Sequence, residues 1–261
     1  MEATASREEW PMDSYIESWK VFREISDENQ ITAEALVALP DWPTDTAPLR
    51  ILDVGCGDGR LIRLIALRCT GDLEEIRLLD PDLQLLREAE RHVRQTLPAV
   101  PITTRLEGIS EGLPEVYEGI DVILGVHLVY LLKDGEFERM IESLPSGIPL
   151  FVVLDRPQSL FTRLWNVTAP SYLARSQDAH ATVQALNPSV FRVREDTITS
   201  RIRGLSGIRR PIRETIMSLL CYCEYPKLSA AKQEQVQGIL SEFTEDDVTL
   251  CDSTCYSIVR R

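Results

Sequence analysis

Residues 51–60, ILDVGCGDGR, hold the clearest chemical pattern in the chain. A short apolar run ends at Asp53-Val54, and Gly55, Gly57 and Gly59 follow at alternate positions. Alternating glycines let the main chain turn sharply and let a ligand approach it without Cβ atoms in the way. A helix opening at this point adds free N–H groups. A second apolar run, IRLLD, ends in Asp80, about twenty residues after the glycines, where a carboxylate can accept hydrogen bonds from both ribose hydroxyls. The GxGxG spacing after Asp53 suits a compact adenosyl ligand better than a pyrophosphate, whose fingerprint is GxGxxG. Asp82 is equally suited to cap the helix that follows.

The six cysteines suggest no second chemistry. Cys56, Cys69, Cys221, Cys223, Cys251 and Cys255 are scattered, and the CxC within LLCYCEY is not a zinc knuckle. Buried, unpaired thiols are expected and no metal site is.

The elements that must position the loop follow from periodicity. Residues 13–38 read as one helix, with Tyr15, Trp19 and Phe22 on a shared face, and the proline-rich 39–48 as a linker. Apolar runs at 50–54, 76–80, 102–106, 120–126 and 149–154 alternate with helical patterns, the signature of a parallel sheet covered on both faces. Helices are expected near 159–167, 211–224 and 229–242. Strands at 193–202 and 248–259 suggest an antiparallel hairpin at one edge. The expectation is one domain over 1–261. Its core takes in about 48–160 plus 191–202 and 248–261, and its cap comes from about 10–40, 156–190 and 208–245.

Composition sets the outer bounds. The chain has 261 residues, 44% hydrophobic and 26% charged, which excludes whole-chain disorder or coiled coil. No apolar stretch is long enough to span a membrane, and the acidic, polar start is no secretory signal, so a cytoplasmic protein is expected. A net charge of −13 opposes binding to nucleic acid.

The glycine loop and Asp80, correctly spaced between strands, resemble the class I S-adenosylmethionine-dependent methyltransferases over about residues 48–160. The resemblance implies a Rossmann-like seven-stranded sheet with an antiparallel last strand and a small helical cap, and S-adenosylmethionine as cofactor. It places Asp53, Gly55, Gly57 and Gly59 along the methionine end and Asp80 at the ribose. Pro81 and Gln84 fall near the adenosine, Gly108, Ile109 and Ser110 beside the adenine, and Val126 and His127 toward the methyl group.

Outside the core, the helix SYIESWKVFREISDENQ, the segment VHLVYLLKD and the strand TLCDSTCYSIV are similar to the histamine N-methyltransferase family. On that match Glu28 holds a substrate amine or imidazole, and Tyr15, Trp19, Phe161 and Trp165 wall the pocket. Tyr130 matches the family, His127 stands where it has glutamine, and Asp252 or Ser253 stands where it has asparagine. With Glu28, His127 and Tyr130 as the catalytic group, the implied reaction is methyl transfer to a small molecule, foremost an amine. The alternatives are oxygen or carbon methylation, and internal cyclisation of the cofactor that releases methylthioadenosine.

Overall fold

The computed structural model describes residues 12–44, 48–69, 73–109 and 113–261, without the side chains of 12–15, 113 and 114. Five parallel strands form the sheet's first part: β1 (Leu49–Val54), β2 (Leu73–Leu79), β3 (Ile102–Arg105), β4 (Val122–Val126) and β5 (Pro149–Asp155). Two long strands follow, β6 (Phe191–Arg203) and β8 (Val248–Arg260), with the two-residue β7 (Thr244–Glu245) paired to β8. The order is β3-β2-β1-β4-β5-β8-β6, with β8 antiparallel to both β5 and β6. The order reverses between β2-β1 and β4, at the carboxyl end of β1, where open α/β sheets bind ligands.

The strand sequences dictate this placement. All seven residues of β5 (PLFVVLD) are buried, as a run of apolar residues covered on both faces must be. Each fully buried aliphatic side chain there contributes about 1.5–3 kcal/mol. One face packs on α2 (Glu28–Ala38), α3 (Arg60–Ala66) and α4 (Leu83–Thr96) through Leu36, Ile62 and Val93. The other packs on α5 (Leu113–Val116), α6 (Glu136–Glu142) and α8 (Pro170–Gln184) through Val116, Met140 and Val183. A separate apolar cluster binds α1 (Met12–Phe22), α7 (Leu160–Thr168), α9 (Arg210–Cys221) and α10 (Ala230–Glu242) into a cap.

One expected helix is two. Residues 23–27 break the 13–38 segment, because Ser26 bridges to Ile202 and the Asp27 N–H donates to the Arg201 carbonyl at 3.0 Å. The Asp27 carboxylate also accepts from the Arg201 N–H at 2.6 Å. Local periodicity is overridden by docking against β6, and α2 begins afresh at Glu28. The 15-residue α8 was not anticipated as a helix. Its weak apolar stripe is interrupted by Arg175, Asp178 and Gln184.

No helix among the described residues is long and apolar enough to cross a membrane. The six cysteines are unpaired, and no group of metal-ligating side chains gathers among the described residues.

Candidate active site

The three glycines of the loop have three different reasons. All have positive φ, 68° at Gly55, 55° at Gly57 and 74° at Gly59, where L side chains are strained. A Cβ on Gly59 would lie 2.7 Å from the Ala89 Cα, so this glycine lets α3 pack against α4. A Cβ on Gly55 would press on Leu128 at 3.2 Å. At Gly57 a Cβ would meet only the Arg23 guanidinium, at 3.8 Å, so this is the glycine with an open face.

Asp80 ties the loop to β2. Its Oδ2 accepts from the Gly57 N–H and its Oδ1 from the Asp82 N–H, both at 2.9 Å. Each carboxylate oxygen retains a lone pair for a further donor such as a ribose hydroxyl. Asp82 caps α4 as expected, accepting from the Gln84 and Leu85 N–H groups. Burial, then the charge of Asp80, pushes Asp53 up to about 8, so Asp53 is mostly neutral at pH 7. The residues present fit an adenosyl group: a glycine face without a side chain, a fixed carboxylate and a neutral second acid.

Four segments bring a second cluster together. Glu28 opens α2, His127 follows β4 at a φ of 52°, Tyr130 lies in the 3-10 turn Val129–Leu131, and Asp155 ends β5. The Glu28 Oε1 is 3.3 Å from the His127 Nε2, and the Tyr130 hydroxyl is 2.5 Å from the His127 Nδ1. The Asp155 Oδ2 lies 3.9 Å from that Nδ1. The Glu28 and Asp155 side chains are only 8% and 4% exposed. The Asp155 Oδ1 and His127 Nε2 have no hydrogen-bond partner among the described residues.

Burial governs the cluster's titration. Desolvation pushes Glu28 up to about 7, against the lowering charge of Arg23 and with a further push from Asp27. Desolvation also pushes Asp155 up to about 6, opposed by His127 and the Tyr130 hydrogen bond. It holds His127 below its ordinary value, opposed by Asp155. Near pH 7 the cluster therefore carries partial negative charge and has room for a proton.

The other expected site residues separate. Phe161 and Trp165 join Tyr130 in an aromatic wall, with Trp165 edge-on to Tyr130 at 5.1 Å and 5.9 Å from Phe161. The Trp165 indole N–H is buried without a partner among the described residues. Trp19 meets Phe22 edge-on at 5.4 Å and carries the Arg23 guanidinium over its ring. Tyr15 lies in α1, its side chain outside the described residues. Ser253 pairs with Asp155 across β8 and β5, so their side chains share a face. Asp252 points the opposite way, accepts from the Thr199 hydroxyl and lines a cleft of about 430 Å³ with His180 and Tyr256. It does not join Glu28, because side chains alternate along a strand. Val126, Gly108, buried Ile109 and exposed Pro81 and Gln84 lie at or beyond the strand ends bordering the loop, and Ser110 falls outside the described residues.

Sequence reasoning passed over Asp155, Arg23 and Cys251, whose thiol is raised by burial and then by Glu28 and Asp155. Asp155 had a legible signal, an acid closing an apolar strand, the same pattern that singled out Asp80.

Residues 51–146 match the family described as methyltransferase domain. No curated protein sequence matches the chain. Among solved structures, the plantazolicin methyltransferase BpumL, complexed with a pentazolic desmethylPZN analog and SAH, superposes with a TM-score of 0.54 at 16% identity. The match covers 96% of this chain and 92% of that one. The plantazolicin methyltransferase BamL, with a triazolic analog and SAH, gives 0.53 at 15%, with the same coverage. The YcgJ protein of Bacillus subtilis gives 0.54 at 12%, covering 90% of this chain and 99% of that one. These likenesses carry the fold, and they do not show the resemblance to histamine N-methyltransferase. Domain match, strand order and loop agree: residues 51–146 carry a methyltransferase domain, on the fold of the methyltransferases with which the chain superposes.

Proposed function

We propose that the acceptor is a small molecule, foremost an amine, received by Glu28, His127, Asp155 and Tyr130. The carrying observation is the buried Glu28 carboxylate 3.3 Å from His127, with Asp155 behind it. When bound, the cofactor supplies an electrophilic methyl group on a sulfonium. The chain's own residues then have two tasks, holding the acceptor in line and taking its proton.

A primary amine is mostly protonated at neutral pH, and only its free lone pair attacks. Glu28 and Asp155 attract the ammonium form into a site of low dielectric. His127, kept neutral by burial, offers a ring nitrogen for the departing proton, and Tyr130 fixes the other nitrogen at 2.5 Å. The faces of Trp165 and Phe161 favour cationic groups. The net charge of −13 adds a weak pull on a cationic substrate.

The test is a panel of small primary and secondary amines with S-adenosylmethionine, scored by S-adenosylhomocysteine release. One or more amines should turn over, and Glu28→Gln should lower kcat/KM at least tenfold while leaving S-adenosylhomocysteine affinity within twofold. Turnover only with phenols or carbon acids would replace nitrogen as the acceptor. Methylthioadenosine accumulating from S-adenosylmethionine alone would replace transfer with cyclisation.

A further inference from the structure

The last turn of α1 lies over the glycine loop, and Arg23 occupies the contact. Its Nη1 is ion-paired with the Asp58 Oδ2, and its side chain is 17% exposed. Its guanidinium carbon is 4.8 Å from the centre of the Trp19 ring. Its Nη2 is 3.8 Å from the Cβ position of Gly57, the open face of the loop. Its Nε is buried and has no partner among the described residues. Asp58 also receives the Arg60 Nε at 3.3 Å, and Arg60 pairs in turn with Glu24 at 3.3 Å. That leaves an unused N–H on a guanidinium that borders the open face of Gly57.

A guanidinium with an unused donor at that position calls for an acceptor, and an anionic one suits it best. Of the ionic groups in S-adenosylmethionine, the sulfonium and the amine are cationic, and the carboxylate alone is anionic. We propose that Arg23 binds the carboxylate at the amino-acid end of the cofactor, over Gly57. This inference rests on the reading of the loop as the cofactor site. Arginine suits the task because its rigid planar fork of donors matches a carboxylate, whereas lysine offers a flexible point charge. Trp19 acts as the plate that keeps the guanidinium flat above the loop, a positioning role rather than the contact with substrate implied by resemblance. Arg23 also lowers Glu28 electrostatically, so one residue borders both halves of the site.

Calorimetry with two ligands tests the assignment without turnover. S-adenosylhomocysteine carries the carboxylate, and S-adenosyl-3-thiopropylamine is the same molecule without it. The unaltered protein should bind the first at least tenfold more tightly. Arg23→Met should weaken the first at least tenfold and change the second less than threefold, and Arg23→Lys should recover part of the loss. Equal losses for both ligands would assign Arg23 to packing and overturn the proposal, as would equal affinities in the unaltered protein, a comparison that needs no variant to fold. If the unaltered protein binds neither ligand, the cofactor reading falls as well, which separates the two failures.

Discussion

The glycine loop and the acid cluster lie at the same end of the sheet yet are built in opposite ways. The loop is local: ten consecutive residues supply its glycines, and Asp80 ties it to β2 through the Gly57 N–H. The acid cluster has no local core. Glu28 comes from α2, His127 and Tyr130 from the segment after β4 and Asp155 from β5, and they meet because the sheet sets β4 beside β5. A cradle for a common cofactor can be written as a short motif, because its ligand is always the same. A site for a particular acceptor is assembled from scattered positions, each free to change without disturbing the others.

That contrast is open to attack by substitution, beginning with the change of largest effect. Gly59→Ala should cost about 3 kcal/mol of stability, since it combines a left-handed backbone with a Cβ 2.7 Å from a backbone atom. Thermal unfolding would show it, and an unshifted midpoint would mean that α3 and α4 separate easily. Asp155→Asn should lower kcat/KM roughly hundredfold, because His127 loses the carboxylate that supports its uptake of a proton, and leave S-adenosylhomocysteine affinity unchanged. The rising limb of kcat/KM between about pH 6 and 7, where Asp155 and Glu28 titrate, should flatten in that variant. Loss of cofactor affinity instead would merge the two regions into one site.

Asp80→Ala should weaken S-adenosylhomocysteine by about 2 kcal/mol, the scale of hydrogen bonds to a charged group, with little effect on acceptor KM. The smallest effect concerns stability. Glu28 titrates near 7 in the folded chain and at the ordinary 4.5 when unfolded. Between those values the folded state holds a proton that the unfolded state has lost, so stability is full below 4.5 and falls as pH rises through 7. Glu28→Gln has no such slope. Relative to the unaltered chain it should gain about 2 kcal/mol between pH 5 and pH 8 in urea titrations. A parallel pH dependence in both proteins would return Glu28 to solvent.

The legibility of each part follows from the same contrast. The parallel strands were readable because each is a short apolar run between helical patterns, and the late antiparallel pair because residues 193–202 alternate, although two helices part its strands, so it is no hairpin. Asp80 was readable from its spacing. The break between α1 and α2 was not, because it is made by Ser26 and Asp27 docking on Arg201 and Ile202, about 175 residues away. That break is what aims Glu28 at His127. Asp252 and Ser253 could not be told apart without the register of β8, since one step along a strand reverses the face. Pairing with β5 puts Ser253 on the face of Asp155.

The position of β8 has a consequence for synthesis. It is the last strand in sequence order, yet it lies between β5 and β6. While the ribosome makes residues 204–260, both older strands present bare edges, for roughly 5 s at translation rates of about 5–20 residues per second. A nascent chain in that interval has its glycine loop and Asp80 already emerging in sequence, but Asp155 still lacks the neighbouring strand. Nucleoside binding is therefore expected to precede acceptor recognition during biogenesis, and the exposed edge of β5 is the place where a chaperone would be needed.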